Sequence, residues 1–183
     1  MKRIFLLILL PFLAATDAGA GIFELSGNFM FNKSNYEEGS FSWRRSWGAS
    51  FAYHFNSRSG VEVGYTTAVE KLHIPNFYTT LTEDQITSLS WVQFVLGREV
   101  VFQPFFKIGG GQLNRRLNRS YYLGPEEEVS TGSLTGVGTL GLKIRVSEQL
   151  GVIMQGTTYL SGFDFATWSD NFVVSFGTSL YFN

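Results

Sequence analysis

Seven side chains in this sequence combine charge with a spacing that could gather them in one place: Glu24, Arg44, His54, Glu62, Lys107, Lys143 and Arg145. Each sits in a segment whose alternate residues are apolar or aromatic, and each occupies the polar phase. Carboxylates, cations and an imidazole on one sheet face can neutralise one another, or they can line a path for ions. Ranked by distance from the ends of their segments, Glu24 and Glu62 meet Lys107, Lys143 and Arg145, with His54 close by. The expected result is a polar plug of satisfied charges; the alternative is a gate for water or small ions. Asn28, Glu70, Gln155, Tyr159 and Tyr181 share the same phase.

Other chemistry is thin. His73 precedes Asp84 and Ser88, yet nothing in the spacing sets a base against a nucleophile. Glu126-Glu127-Glu128 reads as a solvated run in a charged loop rather than a cation site. Arg115, Arg116 and Arg119 in the same loop could neutralise phosphate groups. Gly136-Val137-Gly138-Thr139-Leu140-Gly141 matches a dinucleotide fingerprint letter for letter, but Leu142-Lys143-Ile144-Arg145 follows it in period two, with no helix to receive a pyrophosphate. No catalytic residue, metal site or cofactor is assigned. The chain has no cysteine, hence no thiolate site or disulfide.

The elements that must position these groups announce themselves by period. From Phe23, odd positions read Phe23, Leu25, Gly27, Phe29, Phe31 and even ones Glu24, Ser26, Asn28, Met30, Asn32. Successive strand residues point to opposite faces. Eight such segments are predicted near 22–32, 43–55, 60–70, 86–97, 102–114, 133–146, 150–160 and 171–182. Nothing else in the chain could cover eight apolar faces, so lipid must. The fold class is all-β: an eight-stranded antiparallel up-and-down transmembrane β-barrel. Closure of strand eight on strand one removes the sheet edges.

Connections alternate. Asn56–Ser59, Arg98–Val101 and Ser147–Gln149 are short; Lys33–Ser42, Lys71–Gln85, Arg115–Gly132 and Ser161–Asp170 are long and polar, as periplasmic turns and outer loops should be. Outward faces include Trp43, Trp47, Ala49, Phe51, Tyr53 and Phe55 on strand two, and Phe172, Val174, Phe176, Thr178, Leu180 and Phe182 on strand eight. Phe31, Trp43 and Phe172 mark the outer interface; Phe23, Phe55, Phe102 and Phe182 mark the inner one. Arg45 breaks the outward pattern close to the rim, where its cost is about 0–1 kcal/mol against about 2–4 at the midplane. Strand four is apolar in both registers, and a bulge would explain it. On strand seven Val152, Met154, Thr158 and Leu160 are assigned to lipid.

Residues 1–20 read as a cleavable leader: Lys2 and Arg3, an apolar run from Ile4 to Ala15, then Ala18-Gly19-Ala20. Residues 21–183 form one barrel domain. Without Lys2, Arg3 and Asp17, the chain's 14 basic and 15 acidic residues fall to 12 and 14, which is no footprint for nucleic acid.

With the strands placed, the chain resembles the small eight-stranded outer-membrane proteins, the OmpA transmembrane domain, OmpX and OmpW group. The likeness rests on the leader, the strand pattern, Gln103-Pro104-Phe105-Phe106-Lys107-Ile108-Gly109-Gly110-Gly111, and the aromatic strand Phe172 to Phe182, which looks like the signal read by the barrel-assembly machinery. The chain departs from that group by ending in Asn183. The resemblance implies the bacterial outer membrane, with its lipids and lipopolysaccharide as partners, and a monomer. It leaves three activities open: a non-enzymatic barrel serving the envelope or surface contact, a narrow channel, and a lipid A-modifying enzyme. A deacylase-type His-x-Ser is absent after both His54 and His73. A soluble lipocalin-like barrel, with the aromatic face inside, is a fourth reading.

Overall fold

The computed structural model describes residues 21–36, 39–97, 100–165, 168 and 172–182; residues 1–20, on which the expected leader falls, Asn183, and parts of three connections lie outside that set. Eight strands follow in order: β1 (Ile22–Asn35), β2 (Phe41–His54), β3 (Ser59–Ile74), β4 (Tyr78–Phe94), β5 (Phe102–Tyr121), β6 (Glu127–Arg145), β7 (Leu150–Ser161) and β8 (Phe172–Phe182). Each pairs antiparallel with the next, and β1 pairs with β8 from Phe23↔Phe182 to Phe29↔Phe176, so the barrel is closed. Closure gives backbone donors and acceptors in the wall partners within the sheet, which lipid could not supply.

The period-two alternation sets the faces. Glu24, Ser26, Ser46, Ala52, Lys143, Ser175 and Ser179 point inward and are buried, whereas Phe29, Trp47, Val63, Leu89, Ile108, Leu140 and Phe176 point outward and are exposed. That outward apolar belt makes the barrel a transmembrane one. At its inner margin Phe23 stacks on Phe51 and touches Tyr53, and Phe55 meets Trp91.

Short turns have local causes. The Asn56 side chain accepts hydrogen bonds from the backbone N–H of Arg58 and Ser59 at 2.8 and 2.7 Å, closing the β2–β3 turn. Ser147 Oγ does the same for Gln149 and Leu150 between β6 and β7. Such side-chain acceptors imitate a backbone turn.

Two expected loops are instead hairpins. Lys71–Gln85 shrinks to a reversal at Pro75-Asn76-Phe77, where Asn76 takes a φ of 62° and Phe77 N–H donates to Ile74 C=O. Asn tolerates that left-handed conformation better than most residues. Arg115–Gly132 continues β5 and β6, and pairing persists to Arg119↔Glu127. Arg116 binds Glu128 at 3.1 Å, and Arg119 stands 3.9 Å from Glu127. The glutamate run is thus one side of a cross-strand charge ladder.

Strand four needs no bulge, because its register with β3 and β5 is unbroken. Leu89 and Trp91 face outward, whereas Val92 and Phe94 fill the lumen. On β7, Val152 and Met154 are exposed as expected, but Leu160 is buried. It shares the outer surface of Gly136 with the ring of Phe163, which the chain lays back against the wall after Gly162. Gly111 is demanded by the wall itself: a side chain there would collide with the Thr87 carbonyl.

Candidate functional site: the lumen

An eight-stranded barrel is just wide enough for its own side chains to fill it, and the inner end is filled in that way. Glu24 is 2 % exposed. Its carboxylate accepts hydrogen bonds from Lys143 Nζ at 2.5 Å and Ser26 Oγ at 2.7 Å, and lies 2.8 Å from His54 Nε2. The Lys143 ammonium also stands over the rings of Phe94, Phe105 and Tyr181, 5.1 to 5.6 Å from their centroids. Val92, Phe94, Phe105 and Ile153 form a buried apolar cluster beside it. A charge pair taken out of water loses hydration, and close hydrogen bonds and ring faces restore part of it.

A second pair lies in the same cross-strand row, with Ala52 between Glu24 and Glu62. Lys107 Nζ donates to both oxygens of Glu62 at 2.8 Å and stands over Phe105. Beyond it opens a cavity of about 50 Å³, lined among others by Asn28, Arg44, Glu62, Lys107, Gln155 and Tyr159, with room for a few waters. Among the described residues Arg44 Nε and Gln155 Oε1 are buried there without a protein hydrogen-bond partner, groups a water would satisfy. Arg44 reaches toward Glu70 at 4.0 Å. Farther out, Arg115 grips Asp84 through two hydrogen bonds of 2.7 and 2.9 Å.

The seven expected site residues therefore divide. Glu24, His54 and Lys143 form one hydrogen-bonded group and Glu62 with Lys107 another, and both ammonium groups stand over the ring of Phe105. Arg44 belongs to the outer half. Arg145 lies at the rim on the short-turn side, where its Nε donates to the Ser147 carbonyl at 3.2 Å, and it lines an open recess with Gln103, Glu148 and Tyr181. Sequence reasoning missed the apolar cluster and the Asp84–Arg115 pair; an apolar residue in both phases of strand four was the available signal for the former. His73, Asp84 and Ser88 do not converge: Asp84 and Ser88 share the inward phase, whereas His73 takes the outward one, against Phe41 and Thr79. Among the described residues no cluster of three or more potential ligands could hold a metal ion.

The same closed barrel recurs in solved structures. The N-terminal β-barrel domain of Pseudomonas aeruginosa OprF matches with a TM-score of 0.57 at 12% identity, covering 88% of this chain and 97% of that one. Ail, the attachment invasion locus protein of Yersinia pestis, matches at 0.53 and 14%, over 88% and 97%. Neisserial surface protein A matches at 0.50 and 13%, over 89% and 98%. The fold is that of the small eight-stranded outer-membrane barrels. No protein-family model matches the chain, and no curated protein matches it in sequence. At such identities the likeness concerns the fold, and function must be argued from this chain's own sites.

Proposed function

We propose that this protein is a non-enzymatic barrel of the bacterial outer membrane, closed to solutes at its inner end, that serves the envelope or surface contact through the sheet it holds outside the membrane. The observation that carries this reading is the projecting sheet. β6 runs seven residues beyond Leu134, from Glu127 to Ser133, which is about 20 Å of strand. Its tip meets that of the β3–β4 hairpin, where Tyr122 N–H donates to the Phe77 carbonyl at 3.0 Å. Phe77 is 69 %, Tyr122 70 % and Leu123 93 % exposed, and an apolar patch left in water on a charged scaffold is a contact surface more often than an accident. The packing of Glu24, Lys143, His54 and Phe94 favours closure. In this reading the surrounding lipids and lipopolysaccharide are partners, the barrel-assembly machinery inserts the chain, and one copy suffices.

Single-channel recording in planar bilayers tests closure. The full-length barrel is expected to be silent, and Phe94→Ala/Lys143→Ala to show discrete openings. Steady openings of the wild type that shift in Lys143→Ala would instead establish the second reading, a narrow channel, which the polar cavity around Arg44 and Gln155 favours.

A further inference from the structure

The outward surface of β1–β3, just above the apolar belt, carries three cations among aromatic rings. Lys33, Trp43 and Lys71 are direct cross-strand partners in one row. Phe31, Arg45 and Val69 form the next row toward the belt, and Asn35, Phe41 and His73 the next row away from it. All lie in the outward phase. The ammonium groups of Lys33 and Lys71 both stand over the single ring of Phe41, at 6.0 and 5.9 Å from its centroid, and the Arg45 guanidinium lies 5.5 Å from the Trp43 ring. Rings hold the three heads in place but do not neutralise them. Among the described residues no carboxylate lies within ion-pair distance of Lys33, Arg45 or Lys71. By contrast, Arg116, at the same rim on β5, is matched by Glu128 at 3.1 Å. Among the described residues the nearest outward carboxylate along the sheet is Glu83, beyond Val69 on β4 and next to Arg116; Glu37 and Glu38 of the β1–β2 connection lie outside the described residues.

Like charges gathered around one ring repel unless an anion joins them. Directly beneath them Phe29, Phe31, Trp47, Val63 and Tyr65 offer exposed apolar surface of the belt, and Trp47 packs on Tyr65. A ligand that places negative charge at the rim and hydrocarbon immediately below it satisfies both. We propose that Lys33, Arg45 and Lys71 form a seat for the phosphate of an outer-leaflet lipid whose chains lie on the β1–β3 belt. The proposal rests on the membrane-spanning barrel and deepens the envelope reading; it is independent of whether the lumen conducts.

The test uses the full chain purified in non-ionic detergent. Thermal unfolding is followed during titration with diphosphorylated lipid A, with its dephosphorylated form, and with inorganic phosphate at matched phosphate concentration. Diphosphorylated lipid A is expected to raise the midpoint, and the other two to leave it within error. K33Q/R45Q/K71Q is expected to weaken the apparent affinity at least tenfold, and R116Q to change it less than twofold. The single variants K33Q, R45Q and K71Q, each expected to weaken it severalfold, carry the test if the triple variant does not fold. Equal affinity in wild type and rim variants overturns the proposal, as does an equal response to dephosphorylated lipid A. A full response to inorganic phosphate would mean a site for free anions, and overturns the lipid seat.

Discussion

The two halves of the lumen solve the same problem in opposite ways. At the inner end, charges are packed against rings and buried almost completely: His54 is 1 % and Phe94 1 % exposed. Toward the outside, the pairs are longer or wetter. Arg44 and Glu70 sit 4.0 Å apart with the Glu70 side chain 44 % exposed, and the Arg115 side chain is 37 % exposed. The difference teaches where the barrel is a solid and where it is a vessel. In the solid half, every change leaves a charge without water or a ring without a neighbour. In the vessel half, water can take the place of a lost partner.

The largest expected effect tests the solid half directly. Lys143→Met leaves the Glu24 carboxylate buried with His54 and Ser26 alone, and breaking such a pair costs about 3–5 kcal/mol. Urea unfolding from lipid vesicles should show it. Glu24→Gln/Lys143→Met removes both charges and should recover at least half of that loss. A double variant no better than the single one would mean that the pair holds the strands by shape rather than by charge.

A ruler along the outer wall comes next. Leu140 is 73 % exposed in mid-belt, whereas Leu134 lies six residues closer to the outer rim at 68 %. Leu140→Arg should cost about 2–4 kcal/mol and Leu134→Arg about 0–1, because arginine near the interface reaches headgroups. Equal costs at the two positions would contradict the depth assigned to the belt.

The barrel wall was legible because its two faces meet different solvents, so every second residue reports on the fold. Strand count, antiparallel order and the outward rows of β2 and β8 follow from that signal alone. It fails where both faces meet the same medium. Above the membrane, water wets both sides of the β5–β6 hairpin, so Arg115 to Gly132 reads as a loop although Arg116 and Glu128 pair across a ladder. At the inner end of the lumen, both sides are apolar, so Val92 and Phe94 compete with Leu89 and Trp91. Arg145 was read at the same end of its strand as Lys143; phase gives direction but only crude depth, and it lies one rung beyond Lys143, at the rim. Asp84 and Arg115 went unpaired because both fell in segments read as loops.

The smallest effect sharpens the contrast between halves. Asp84→Asn breaks the two-fold grip on Arg115, a geometry which on paper is better than that of Glu24 and Lys143. Arg115 is more than a third exposed, however, so solvent screens the interaction and rehydrates the guanidinium once its partner is gone. The expected loss is about 1 kcal/mol or less, read as a shift in the urea midpoint at unchanged slope. It should shrink further in 1 M salt, where exposed charges are screened within about 3 Å, whereas the Lys143→Met loss should persist there. A salt-insensitive Asp84→Asn loss as large as that of Lys143→Met would show that the outer half is as dry as the inner one, and the distinction between solid and vessel would fall.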